Sequence, residues 1–149
     1  MLMKSHLAIG LFAALFFLPH VVNKPIFVLV VLVTSLIPDI DSGFSTLGRK
    51  AVFRPLQLFT KHRGFVHSFT TCFIITLVLA WFFPTLALPF FLGYSVHLIV
   101  DSFTVDGIRP IWPSERILKG GIKVGGIVEQ SIFLIFCIAD IILVILLFA

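Results

Sequence analysis

The chain has 149 residues, a length that suits one soluble domain, yet 59% of its residues are hydrophobic and only 12% are charged. A mean hydropathy of +1.15 lies far from the soluble average and excludes a water-soluble globule and a disordered chain. Both cysteines, Cys72 and Cys137, lie inside apolar runs, where thiols act as small hydrophobes, so a disulfide scaffold is excluded too. The composition predicts a small, all-α integral membrane protein.

Five apolar runs predict five transmembrane helices in a single membrane-embedded domain that covers residues 1–149. The runs cover about residues 4–18, 25–37, 66–83, 86–103 and 127–149. Prolines in the connections after the first and third runs predict two helical hairpins, followed by one final span. The first two runs are shorter than the ~20 residues that normally cross a bilayer, so a tilted or half-crossing hairpin is the alternative there. A signal peptide is a competing interpretation of the first run, but no small-x-small cleavage site lies near Leu18.

The basic residues predict the orientation, because lysine and arginine collect on the cytoplasmic side of a membrane. In the five-span arrangement one face holds ten of the 11 basic residues: Lys4, Arg49, Lys50, Arg54, Lys61, Arg63, Arg109, Arg116, Lys119 and Lys123. We therefore expect an inner-membrane protein with its amino terminus in the cytoplasm and its carboxyl terminus outside. The same charges attract anionic lipid headgroups. Nothing pairs them with base-stacking aromatics, so nucleic acid is not an expected partner.

Histidines and carboxylates collect at four predicted helix ends on the cytoplasmic face. They are His6, Asp39, Asp41, His62, His67, His97 and Asp101. Ionisable groups in or against membrane spans are costly and usually mark function. A mixed set of nitrogen and oxygen donors suits zinc, or the harder ions manganese and iron. The pattern predicts a polar metal site at the cytoplasmic helix ends that holds one or two divalent ions.

Each part of this pattern has a simpler explanation when taken alone. The spacing of His97 and Asp101 places them one helical turn apart on the same face, where the two side chains could simply satisfy each other. Asp39 and Asp41 also fit a helix-ending turn, because Pro-Asp sequences favour turns. The histidines that open the third run also fit an interfacial role. Their joint occurrence at four helix ends favours metal binding.

Three motifs in this order resemble the YdjM-type LexA-binding, inner-membrane-associated family of metal-dependent hydrolases. They are Pro38-Asp39-Ile40-Asp41, Arg63-Gly64-x-x-His67-Ser68 and Gly93-Tyr94-Ser95-x-His97-x-x-x-Asp101-x-x-Thr104-x-x-Gly107, with a trailing Trp112-Pro113. The likeness runs from His6 to Pro113, about three quarters of the chain. It implies a membrane-embedded hydrolase whose metal ligands are His6, Asp39 or Asp41, His67, His97 and Asp101.

The order of these residues is also similar, more distantly, to the amino-terminal half of the zinc-dependent phospholipases C and the related single-strand nucleases. Those enzymes carry a further histidine and a second His-x-x-x-carboxylate pair downstream. Here no histidine follows His97. We therefore expect one or two ions rather than the three of those enzymes.

A divalent ion bound at the cytoplasmic helix ends would activate water and polarise an ester oxygen. The sequence therefore predicts hydrolysis of a phosphoester such as a phospholipid headgroup. Arg63, with Lys61 and Arg109, is placed in the sequence to neutralise a phosphate's developing charge. Asp39, Asp41 and Glu129 are the candidates for the general base.

Two other classes of function fit parts of the sequence. His-x-x-x-Asp on a membrane helix also occurs in cation transporters, and Asp140, deep in the last run, would suit a transport path. A non-catalytic, metal-stabilised membrane adaptor would match the LexA-binding role in the description of the family that the sequence resembles.

Overall fold

The computed structural model describes residues 1–41 and 65–149. Five α-helices lie in these ranges: α1 (Met3–Phe17), α2 (Lys24–Thr34), α3 (Phe69–Phe82), α4 (Pro84–Ser102) and α5 (Ile127–Phe148). Each helix corresponds to one of the predicted apolar runs. The described residues contain isolated β-bridges but no strand, so the predicted all-α class is confirmed. His62 and Arg63 lie outside the described residues.

Prolines and a serine cap set the turns between the helices. Pro19 lies in the 3-10 turn Leu18–His20 that follows α1, and Pro84 is the first residue of α4. Ser68 caps α3, because its hydroxyl accepts a hydrogen bond from the Thr71 amide at 3.3 Å. A second 3-10 turn, Ile37–Asp41, follows α2 and carries Asp39.

Within residues 1–41 and 65–149, three stretches are long and apolar enough to cross a membrane: Met3–His20, Pro84–Ser102 and Ile127–Leu147. Helix α3 is apolar but has 14 residues, and α2 has 11, which corresponds to a length of about 16 Å. Since a bilayer's hydrocarbon core is about 30 Å thick, five complete crossings remain a prediction. Large apolar side chains on α5 are exposed, with Ile135 at 62% and Leu146 at 71%. Such an exterior suits lipid rather than water.

The carboxyl end of α2 packs tightly between α1 and α4. A β-carbon built on Gly93 would lie 2.1 Å from Thr34 Oγ1 and 2.4 Å from the Val31 carbonyl oxygen, so this position of α4 requires glycine. A β-carbon on Gly10 of α1 would lie 3.1 Å from Ser35 Oγ. Each glycine lies four residues from a histidine of the predicted site. The close packing therefore fixes the helix turns that carry those histidines.

Helices α1 and α5 run parallel and begin at the same end of the bundle. Near their starts, the Leu2 amide donates a hydrogen bond to Glu129 Oε1 at 2.5 Å. Further along, the rings of Phe12 and Phe136 meet edge to face with their centroids 5.2 Å apart. Helices α2 and α4 end, and α3 begins, at this same end. The alternating directions thus bring all the described helix ends with predicted ligands together.

The segment between α4 and α5 folds back onto this end of the bundle. It contains two isolated bridges, Thr104 with Ile122 and Ile108 with Leu118. The Pro110 carbonyl accepts a hydrogen bond from the Phe69 amide at 2.9 Å, which anchors the segment to the start of α3. Arg109 is therefore held near the helix ends.

Candidate metal centre

Four side chains from separate parts of the sequence form a compact group. Asp39, His67, His97 and Asp101 each offer one ligand atom, and these atoms all lie within 4.8 Å of one another. Asp39 comes from the 3-10 turn after α2, His67 from just before α3, and the other two from the last turns of α4. This group could hold a metal ion.

The donor atoms inside the group lie slightly farther apart than the ligands of one bound ion. His97 Nε2 lies 3.5 Å from Asp101 Oδ2 and 4.0 Å from Asp39 Oδ1, while His67 Nε2 lies 3.8 Å from Asp101 Oδ2. Zinc bonds of about 2.1 Å place tetrahedral ligands about 3.4 Å apart, so the donors, which lie within 4.8 Å of one another, would have to approach by up to about 1.4 Å to hold one ion.

A backbone carbonyl orients His97 toward the centre of the group. His97 Nδ1 lies 2.7 Å from the carbonyl oxygen of Ser35. Because a carbonyl oxygen can only accept, Nδ1 carries the hydrogen, and in the neutral ring the lone pair is on Nε2. Metal-binding histidines are typically fixed in this way by a partner on their other ring nitrogen.

Several donor atoms of the centre are buried without a hydrogen-bond partner in the described residues. They include His97 Nε2 and Asp101 Oδ2, in side chains with no exposed surface. An unsatisfied buried polar group costs about 1–3 kcal/mol, and a charged one costs more. A bound cation would satisfy both atoms at once. These two atoms, which lie 3.5 Å apart, therefore have the properties of metal-ligand atoms.

His6 lies on the other side of Asp101. Its ring stacks on that of His97 with 4.0 Å between centroids, and its Nε2 lies 3.4 Å from Asp101 Oδ1. Neither ring nitrogen of His6 forms a hydrogen bond within residues 1–41 and 65–149. The Met1 amino group also contacts Asp101 Oδ1. The two oxygens of Asp101 thus face different histidines.

The turn that carries His67 is held by its neighbours. Ser68 Oγ donates to the Phe65 carbonyl at 2.7 Å, and Thr71 Oγ1 donates to the same oxygen at 2.5 Å. The Tyr94 hydroxyl of α4 donates to the Val66 carbonyl. The Tyr94 bond connects the start of α3 to the helix that carries His97 and Asp101.

The described structure brings together five of the predicted ligands: His6, Asp39, His67, His97 and Asp101. Asp41 is the last residue of its 3-10 turn, but its side chain lies outside the described part of the structure, as do His62 and Arg63.

Glu129, a candidate for the general base, lies at the same end but is occupied by hydrogen bonds. Its Oε1 accepts from the Leu2 amide and from Ser5 Oγ, and its Oε2 accepts from the Gly125 amide at 2.6 Å. A carboxylate that accepts from these three donors stabilises the fold.

The role of Ser35 was not predicted from the sequence, because its backbone carbonyl orients His97 independently of the side chain.

Asp140 is the carboxylate of α5 that lies nearer the middle of the helix. Its side chain is 7% exposed, and its Oδ1 has no hydrogen-bond partner among the described residues. It lines a groove with Lys4, Leu11, Leu32 and Cys137. It follows Glu129 by 11 residues, which places it about 16 Å further along α5. Asp140 is thus separate from the metal centre.

The chain is similar in sequence to proteins from two bacteria. It is 35% identical over 91 residues to the inner membrane protein YdjM of Escherichia coli (strain K12), an alignment that covers 55% of this chain and 46% of that protein. It is 32% identical over 106 residues to the uncharacterized protein YvsG of Bacillus subtilis (strain 168), covering 67% and 66% of the two chains. The chain thus spans less than half the length of its Escherichia coli relative. No solved structure matches it.

A family model described as YdjM inner membrane protein matches residues 1–148, a range that includes every donor of the metal centre. The apolar helices agree with that description, and the chain is a membrane protein. The chain belongs to the YdjM inner membrane protein family.

Proposed function

We propose that this protein is a membrane-embedded, metal-dependent hydrolase that cleaves a phosphoester, such as a phospholipid headgroup, at the cytoplasmic surface of the inner membrane. The observation that carries the proposal is the convergence of four ligand atoms within 4.8 Å at one end of an apolar helix bundle. If the helix ends reach the membrane surface, the site would lie at headgroup depth, where a lipid phosphoester is available.

The ion is zinc in this proposal, with manganese and iron as the alternatives, since two imidazoles and two carboxylates suit all three. Asp39, His67, His97 and Asp101 hold the first ion. His6 and Asp101 would hold a second ion, in place of the contact that Asp101 Oδ1 makes with the Met1 amino group.

The residues of the chain would divide the chemistry among them. When bound, a divalent ion supplies Lewis acidity, which polarises a phosphoryl oxygen and acidifies water. Asp39 or Asp41 acts as general base, and Glu129 is left out because its oxygens are engaged. Arg63 neutralises charge on the phosphate, assisted by Arg109 from the segment that packs against α3.

The test is made on purified full-length protein in liposomes of phosphatidylglycerol and phosphatidylethanolamine. Elemental analysis should find zinc, manganese or iron bound to the protein. Release of a phosphorylated headgroup or inorganic phosphate should stop with a chelator and return when the metal is added back. A metal-free protein that releases nothing would overturn the proposal and favour a non-catalytic adaptor.

Variants at the centre provide the matched comparison. His97→Ala and Asp101→Ala should each lose bound metal and most of the activity, and the double variant should be little worse because ligands act as a unit. His20→Ala should change neither quantity, since His20 is exposed in the turn after α1, at the opposite end of that helix from His6. Full metal occupancy in the double variant would remove both residues from the ligand set.

Transport of a divalent cation is the alternative that a specific observation favours. Asp140 is a buried carboxylate with an unpartnered oxygen, within the described residues, deep along a candidate spanning helix. Ionisable groups at such depth commonly mark ion pathways. The ligand group lies at the helix ends instead, which is why hydrolysis is the preferred proposal.

A further inference from the structure

Glu129 joins the beginnings of two helices. It lies in the first turn of α5, and its side chain has no exposed surface. Oε1 accepts hydrogen bonds from the Leu2 amide at 2.5 Å and from Ser5 Oγ at 3.0 Å, both at the start of α1. Oε2 accepts from the Gly125 amide at 2.6 Å, just before α5. One carboxylate thus accepts hydrogen bonds from groups at the start of α1 and from the residue that precedes the N-cap of α5.

Helix electrostatics explain why a buried carboxylate is stable there. The first turn of a helix has unpaired amide groups and a partial positive charge. Leu2, at the N-cap of α1, has no side chain able to cap the helix, and α1 and α5 run parallel with their positive ends side by side. The carboxylate of Glu129 supplies the missing acceptor and the opposite charge for both ends.

The same hydrogen bonds lead directly to the metal centre. The Leu2 amide donates a hydrogen bond to Glu129. The Leu2 carbonyl accepts hydrogen bonds from the Ser5 and His6 amides at 3.0 and 3.3 Å. Ser5, the other donor to Glu129 from this turn, immediately precedes His6. Glu129 therefore fixes the position and rotation of the turn that aims the His6 ring at Asp101 and stacks it on His97.

We propose that Glu129 is a positioning residue of the metal centre, acting through His6. The inference rests on the proposed function in one respect, which is that the centre binds a metal. It gives α5, which contributes no donor to the described ligand group, a role in metal affinity.

The remaining α1–α5 contacts make the inference testable, because they do not depend on Glu129. The rings of Phe12 and Phe136 pack together, and Lys4 Nζ lies 4.7 Å from the centre of the Phe133 ring. We expect these contacts to keep the helices paired in Glu129→Ala while its first turn loses its anchor.

The experiment is a zinc titration of the full chain in detergent. Glu129→Ala should bind zinc about 10- to 100-fold more weakly, the usual effect of losing a residue that orients a ligand. Glu129→Gln keeps an oxygen acceptor for Leu2 and Ser5 and should restore most of the affinity. Ser5→Ala, which removes one donor, should give a smaller loss than Glu129→Ala. Gln130→Ala is the control, since Gln130 is exposed and its side chain bonds only to the Gly125 carbonyl among the described residues.

A double-mutant cycle separates positioning from general stability. In a His6→Ala background, Glu129→Ala should cause no further loss of zinc affinity. An equal loss in that background, or unchanged affinity in Glu129→Ala with only a lower unfolding temperature, would overturn the inference and leave the proposed function standing. A wild-type chain that binds no zinc, manganese or iron would overturn both.

Discussion

The imidazole rings of His6 and His97 lie face to face, with 4.0 Å between their centroids and 11° between their planes. The ring of His67 meets His97 edge to face at 5.4 Å. Three imidazoles from α1, α4 and the turn before α3 therefore surround one carboxylate, Asp101. The stack gives His6 two separable roles, as a packing partner and as a nitrogen donor.

Replacing His6 with phenylalanine should separate these roles. The phenyl ring introduced by His6→Phe preserves a flat aromatic surface against His97 but removes both ring nitrogens. We expect the unfolding temperature to change little and the number of bound ions per chain to fall, because the donor opposite Asp101 Oδ1 is lost. Elemental analysis and thermal unfolding measure the two effects. Unchanged metal content would show that His6 serves packing alone.

Gly93→Ala should damage the centre from a distance. The new methyl group would overlap Thr34 and the Val31 carbonyl, so the end of α2 must move away from α4. Overpacking of this kind costs about 1–3 kcal/mol of unfolding free energy. Zinc affinity should also fall, because the displaced Ser35 carbonyl no longer holds His97.

Gly121→Ala is the matched control for this prediction, since no atom of the described part of the chain lies within 4 Å of a β-carbon at that position. Denaturant unfolding and zinc titration are the measurements. Equal behaviour of the two variants would mean that the α2–α4 contact does not support the centre.

The orientation can be tested with single cysteines in a chain that lacks Cys72 and Cys137. Asn23 and Ser114 are both exposed, Asn23 between α1 and α2 and Ser114 in the segment after α4. The asymmetry of the basic residues predicts that an impermeant thiol reagent labels Asn23→Cys in whole cells. Ser114→Cys should react only after the cells are permeabilised. The reverse pattern would place the metal centre outside the cytoplasm.

Asp140→Asn should distinguish hydrolysis from transport. Asp140 lies about 16 Å along α5 from Glu129, so its replacement should leave metal content and headgroup release nearly unchanged. A transporter would need that carboxylate, and its metal flux into liposomes should fall steeply. We expect hydrolysis and no flux. Metal uptake that Asp140→Asn abolishes, without lipid hydrolysis, would reverse our choice between the two functions.

The sequence predicted those features that depend on local patterns. Hydropathy and prolines located the five helices, and the alternation of spans placed His6, His67 and His97 at one end. The second helix is shorter than its apolar run, because the chain tightens into the 3-10 turn Ile37–Asp41, which contains Pro38. Residue hydrophobicity does not report such a change of backbone geometry.

Features that depend on backbone groups from distant positions could not be predicted. The Ser35 carbonyl would orient His97 equally well with another side chain at position 35. Residue type alone made Glu129 a candidate general base, because the sequence does not show which groups donate hydrogen bonds to its carboxylate. Those groups include the Leu2 amide, 127 positions away in the chain.

The stacked pair of histidines also has a consequence for biosynthesis. His97 follows His6 by 91 positions, so at about 5–20 residues per second the ribosome makes the two residues roughly 5–18 s apart. During that interval the His6 imidazole has neither its ring partner nor Asp101, because neither residue has been made. Synthesis of the first helix and completion of the candidate metal centre are therefore separate events in the life of each new chain.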